Sequence, residues 1–233
     1  MIIAYSDESY DNSQYVGYWM TAVIVHETVL GDYWRELLAV ASSDGLPLDT
    51  ELHATGLFHG THEFKGMHPH HRIALYRRGL EVMRSHALRV IVAAHIPGSE
   101  GAPALTEWRM EVLSKLVPEI ERVANELGEY VVLVCDEEHA TTTRVVQLLH
   151  DGKASYGVHG TPILETAMFC RSKHSPGVWP ADLVAFLERR IDLGYCDNSK
   201  RQATLRRLRS IYQSKRDAPV ILIGPIGVDP IEV

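Results

Sequence analysis

Residues 2 to 9 read Ile2-Ile3-Ala4-Tyr5-Ser6-Asp7-Glu8-Ser9, an apolar run that ends in two acids. A strand alternates its side chains with period two, so Ile3, Tyr5 and Asp7 share one face, and Ser6 and Glu8 point to the other. Carboxylates at a strand end can hold a metal ion, and Asp7 is the better placed of the two. They can also do no more than open the polar turn from Ser9 to Gln14 between two hairpin strands.

Working outward, Tyr15 to His26 is a second strand-like run and completes a hairpin. Leu30 to Val40 predicts a helix. The stretch from Ser42 to His68 is rich in Gly, Asp, Thr and His, so it predicts a loosely packed excursion that buries little. Pro69 suits the first position of a helix through Ile73, Tyr76, Leu80 and Met83, because its missing N–H does no harm there. Leu88 to Ile96 is a β-branched strand ended by Pro97-Gly98. Leu105, Trp108, Val112, Leu116, Ile120, Val123 and Leu127 form the stripe of a long helix, with Pro118 a kink candidate and Gly128 a stop.

Tyr130 to Cys135 is apolar without alternation, as expected of a strand buried on both faces, and it too ends in acids, Asp136 and Glu137. A helix over Thr141 to His150, a strand over Ile163 to Phe169 and a helix opening at Trp179-Pro180 follow. With the region of about 29 to 86 set aside as an insertion, the order is three strands, helix, strand, helix, strand, helix. That is the ribonuclease H order: a mixed central sheet flanked by helices, expected here as a single domain over residues 1 to 233. In it the first and fourth strands lie parallel and adjacent, which would bring Asp7 and Asp136 together at one sheet edge.

Composition narrows the function classes. An apolar fraction of 45% is globular, and no stretch approaches the ~18 apolar residues of a membrane span. Cys135, Cys170 and Cys196 are odd in number and without a CxxC pair, which suits a reducing cytoplasm and suggests no disulfide framework. No phosphate loop, dinucleotide fingerprint or GxSxG nucleophile elbow occurs. The net charge of -7 argues against coating nucleic acid by bulk electrostatics. Residues Lys200 to Arg216, however, carry seven bases and no acid. With Leu205, Leu208 and Tyr212 at helical spacing, they read as a helix whose basic face is either merely solvated or grips a phosphate backbone through Arg206, Arg207 and Arg209.

The chain resembles the family catalogued as domain of unknown function 3800, through Tyr5-Ser6-Asp7-Glu8-Ser9, Glu51-Leu52-His53-Ala54, the strand ending at Asp136, and Ala181-Asp182-Leu183-Val184-Ala185. It departs from that pattern at Tyr10, where Gly is usual, and at Trp179-Pro180, where a Leu-Gln pair is common. The resemblance implies a ribonuclease H-like fold.

Beside it stands the chemistry of the acids. Hydrolysis of a phosphodiester by two metal ions needs three or four converging carboxylates, and an all-oxygen donor set favours Mg²⁺ or Mn²⁺. Asp7 would bridge the ions, Asp136 would hold one beside it, Asp182 would reach in from a helix start, and Glu51 would complete the set, with Glu107 or Glu111 as competitors. Singly, Asp182 is also a helix-dipole acid, Asp136 a helix cap and Glu51 a surface residue. His53 is placed to orient Glu51 or move a proton. Glu8, Ser9, Glu137 and Ser172 would support these residues, and Lys173 would meet a phosphate. Six histidines between His53 and His71 raise zinc, but without an HExxH or CxxC partner it is not favoured. The expected activity is that of a nuclease acting on RNA or DNA, with a non-catalytic binding module of a mobile-element or phage-defence system as the alternative.

Overall fold

Strand β1 (Ile2–Tyr10) and strand β2 (Tyr18–His26) pair antiparallel from Ile2 opposite His26 to Tyr10 opposite Tyr18. The computed structural model describes residues 1–10, 17–47, 50–96, 105–137, 145–146, 161–164, 167–194, 199–216 and 221–223. Strand β3 (Ala87–His95) runs antiparallel to β2 with a register shift at Ile24/Val25, and β4 (Val131–Asp136) runs parallel to β1 on its other side. β5 (Met168–Cys170) and β6 (Ile221–Ile223) add parallel edges, giving the order β5-β4-β1-β2-β3-β6. This is the ribonuclease H arrangement, a mixed sheet flanked by helices, with β6 laid outside β3.

Both faces of the sheet are covered, which explains why β2 and β4 are apolar without alternation. On one face, Ile2, Ala4, Met20, Ile24, Ile91 and Leu133 pack against the stripe of α4 (Leu105–Leu127), which runs on through Pro118. On the other, Tyr5, Trp19, Val23, Val25, Val90 and Val92 meet α1 (Leu30–Ala41), α2 (Ala54–His59), α3 (Pro69–His86) and α5 (Trp179–Asp192). α6 (Ser199–Tyr212) joins this layer through Leu205, Leu208 and Tyr212, the stripe expected from the sequence.

The region 29 to 86 thus supplies α1, α2 and α3 to one layer of the fold, beside α5 and α6. The expectation that residues 42 to 68 bury little is wrong, since Leu52, Ala54, Leu57 and Phe64 are fully buried. They escape a search for periodicity because α2 has only six residues and Phe64 lies in a single 3₁₀ turn, His62–Phe64. The fifth strand is shorter than the Ile163 to Phe169 run predicted; Ile163 makes only an isolated bridge to Val131. The helix expected over 141 to 150 lies outside the described residues except for Val145 and Val146, which are helical.

α5 is the element that places the site. It follows a 3₁₀ turn, Pro176–Val178, and residues 179 to 189 are all buried. Gly177 lies against the Tyr5 ring so closely that a Cβ there would stand 2.4 Å from Cζ. The Tyr5 hydroxyl in turn accepts from Trp34 Nε1 at 3.1 Å, so the ring cannot readily turn aside. Gly177→Ala is therefore expected to destabilise the protein by about 1–3 kcal/mol, read as a lower midpoint in urea unfolding.

Candidate metal-binding site

The register of β1 on β4 runs from Ile2 beside Val131 to Ser6 beside Cys135. One residue further, Asp7 and Asp136 fall side by side on adjacent parallel strands, roughly 4.8 Å apart in backbone spacing. Both project to the face covered by α5, because Tyr5 and Val134, two residues earlier, belong to that layer. Glu8 has the opposite parity and lies 3.5 Å from Arg109 Nη2 of α4, while still bordering the cleft at the strand end.

Each aspartate is held by backbone N–H groups. Glu8 N donates to Asp7 Oδ1 at 2.7 Å. Glu137 N and Ser172 N donate to Asp136 Oδ1 at 2.9 and 3.0 Å. The Ser172 backbone is itself fixed by Trp179 Nε1, which donates to its carbonyl at 2.7 Å, so Trp179 has a definite use at the position where the resemblance departs. Asp182, in the first turn of α5, accepts from Ala54 N, the first residue of α2, at 2.7 Å. That bond ties the Glu51-Leu52-His53-Ala54 segment to α5 and leaves His53 Nε2 at 4.0 Å from Asp182 Oδ2.

The result is a cleft of about 560 Å³ lined by Asp7, Glu8, Ser9, Glu51, His53, Asp136, Ser172, Lys173 and Asp182. Burial lifts the Asp7 carboxyl well above the usual carboxylate range, and the charges of Asp182, Glu8 and Asp136 lift it further. Burial pushes Asp182 up to about 6, against the pull of His53 and the Ala54 N–H, with Glu51 and Asp136 adding to the rise. Asp136 is raised by burial despite its two N–H donors and Arg109. Glu51 is raised by burial, opposed by a hydrogen bond from Ser172 and by His53. Among the described residues no three His, Cys, Asp or Glu groups stand close enough to enclose an ion; the carboxylates line the walls of the cleft.

The cleft brings together Asp7, Glu51, Asp136, Asp182 and His53, with Glu8, Ser9, Ser172 and Lys173 around them. Glu137 does not line it and pairs with Arg171 at 3.2 Å. Glu111 is taken up by His95 at 2.8 Å, and neither it nor Glu107 lines the cleft. Arg209 and the other expected backbone contacts are also elsewhere. Arg209 Nη2 lies 3.0 Å from the fully buried Glu188, Arg206 borders a separate hollow beside Arg190, and Arg207 is exposed on α6. The six histidines separate too: His53 and His62 face the cleft, His59 meets Arg190, and His68, His70 and His71 cluster at the start of α3.

Sequence reasoning missed Arg189, a cation on the cleft wall whose Nη1 donates to the Tyr10 carbonyl. Its signal was its position seven residues after Asp182, which is two turns along the same helix face. Thr55 and Glu63 were missed because they lie in the segment read as an excursion, and His62 was weighed only as one of the six histidines that raise zinc.

No protein-family model and no curated protein matches this chain. Among solved structures, it is similar to a chain of the PCNA:RNase HII complex from Archaeoglobus fulgidus, with 15% identity, 94% of this chain and 92% of that chain covered, and a TM-score of 0.45. It is also similar to ribonuclease H2 from Pyrococcus horikoshii OT3, with 14% identity, 94% and 90% covered, and a TM-score of 0.45.

The raised Asp182 pKa sets a pH signature. An acid at about 6 when folded, against 3.8 as its ordinary value, binds protons more tightly in the native state. Its burial therefore destabilises the metal-free protein increasingly as pH rises from below 4 to above 6, by at most about 3 kcal/mol. Asp182→Asn retains an acceptor for Ala54 N and removes the charge. In chelator it is expected to unfold later than the parent at neutral pH, with the gain shrinking towards zero near pH 4, as followed by thermal melts across that range.

Proposed function

We propose that this chain is a divalent-metal-dependent phosphodiesterase, a nuclease cutting RNA or DNA. The observation that supports it most is one cleft lined by Asp7, Glu51, Asp136 and Asp182, carboxylates from four separate stretches of chain. Their donor chemistry fits hard cations such as Mg²⁺ or Mn²⁺, whose charge would also offset the burial and like charge that raise Asp7 and Asp182. Asp7, Asp136 and Asp182 would hold the ions, with Glu51 completing the set. Bound there, such ions lower the pKa of water and stabilise charge on the leaving oxygen.

The chain's own residues supply the rest. The N–H groups of Glu8, Glu137, Ser172 and Ala54 each fix one carboxylate oxygen and so the direction of the other. Lys173 and Arg189, on the cleft wall, face the negative charge of a phosphodiester. His53 Nε2, beside Asp182, is positioned to hold the proton that the leaving oxygen requires.

Because the carboxylates line walls and must close on an ion, loading should be visible as stabilisation. Mn²⁺ at a hundredfold excess over its Kd is expected to stabilise the wild type by about 2.7 kcal/mol, and Asp7→Asn far less. On single- and double-stranded RNA and DNA, Asp7→Asn is expected to lower metal-dependent cleavage by at least ~100-fold with the fold retained in circular dichroism. Unchanged cleavage in the variant would remove the assigned site. A wild type inactive on all four substrates would favour the non-catalytic binding module.

A further inference from the structure

A second cavity, of about 330 Å³, opens between α2, α3 and α6, and its chemistry is the reverse of the cleft's. It is lined by Arg72, Lys200, Arg201, Thr204 and His59 over apolar walls that include Phe58, and none of its lining residues is acidic. Arg190 adds to it from the side, its Nη2 donating to His59 Nε2 at 2.6 Å.

Three features show a built site. Arg72 is fixed at the wall, its Nη1 donating to the Leu57 and Phe58 carbonyls at 3.0 and 3.1 Å and its Nε to Met67 at 3.2 Å. This arrangement needs Gly60, which has φ 72° and where a Cβ would meet Arg72 Nη1 at 2.6 Å. Lys200 and Arg201 are exposed in the first turn of the fourteen-residue α6, where the helix dipole also favours an anion. Third, His59 is made more acidic by burial and by the charges of Arg190, Arg189, Arg201 and Arg72, so four guanidiniums act on one imidazole.

α2 joins the two sites. Its first N–H reaches Asp182 in the acidic cleft, and its last residue, His59, borders the basic cavity. Six residues span roughly 9 Å, close to three nucleotides of rise at about 3.4 Å each. Arg189 on the cleft wall and Arg190 beside His59 continue the positive charge from one to the other.

We propose that this cavity binds a backbone phosphate of the nucleic acid, a few nucleotides from the bond cut in the acidic cleft; its link to cleavage rests on the nuclease reading above, its binding does not. Arg72, Lys200 and Arg201 hold the phosphate, so the contact is independent of base sequence.

The test is fluorescence anisotropy with short labelled RNA and DNA oligonucleotides, single- and double-stranded, in chelator so that nothing is cut. The wild type is expected to bind, and the double variant Lys200→Ala/Arg201→Ala to bind about tenfold more weakly, with a salt-dependence slope smaller by nearly two units on duplex. Lys115→Ala, an exposed cation on α4 across the sheet, is the control and should bind as wild type. Both altered residues are exposed, and circular dichroism is expected to show the fold retained. Equal affinity and slope in the double variant, or no binding by the wild type, overturns the cavity. Weakened binding in the double variant, with no metal-dependent cleavage by the wild type, upholds the cavity and removes the nuclease reading alone.

Discussion

Several carboxylates buried in one cleft repel one another, and the surrounding structure is arranged to hold them despite it. Free chains would separate or protonate such groups, since desolvation and like charge both disfavour the ionised form. What opposes this is a set of backbone N–H groups from Glu8, Glu137, Ser172 and Ala54, each bonded to one aspartate oxygen. A backbone donor belongs to a strand end or a helix start and cannot rotate away. Each therefore converts secondary-structure position into carboxylate position, and the accuracy of the site becomes the accuracy of the fold. Trp179 extends the chain of constraint by fixing Ser172, and Gly177 against Tyr5 fixes the approach of α5 itself.

α5 carries unlike charges to different destinations. Asp182 and Arg189 face the cleft, whereas Glu188 is fully buried towards α6, where it accepts from the Tyr212 hydroxyl at 2.7 Å and pairs with Arg209 at 3.0 Å and Arg216 at 3.6 Å. Burial raises Glu188 while the two arginines and the tyrosine pull it down. Breaking such a buried network by deleting one partner typically costs 3–5 kcal/mol because the other charge is stranded. The basic stretch from 200 to 216 is therefore divided in purpose: its C-terminal arginines anchor α6 to α5, and its N-terminal cations remain at the surface beside Arg72.

That division shows where the sequence was legible. Period-two alternation placed Asp7 on the correct face, and the apolar run before Asp136 fixed a central strand, because both signals are local and strong. The Glu51 segment was legible only as a motif. Its packing was not, since Leu52, Leu57 and Phe64 are too far apart in a short helix and a single turn to show a period. Arg209 was misread because a cation count cannot distinguish solvent from a buried acid twenty-one residues away. Arg189 went unnoticed because the stretch from Trp179 to Leu187 reads as apolar core, and the charges that follow it resemble an ordinary helix end.

The acidic and basic sites are also linked mechanically through α2. An isolated helix of six residues lies far below the ~12–15 needed for even marginal stability, so its ends must be held from outside. Asp182 accepts its first N–H, and Arg72 donates to the carbonyls of Leu57 and Phe58 near its end. An acid at the start and a base at the end also suit the helix dipole. The side chains that set α2 in place are thus the same ones that line the acidic cleft and the basic cavity. A displacement of Asp182 would move the Glu51 segment and His59 together. Acid cluster and cation cluster are in this way held at a fixed separation by one short helix, in a protein whose net charge alone gives no hint of either.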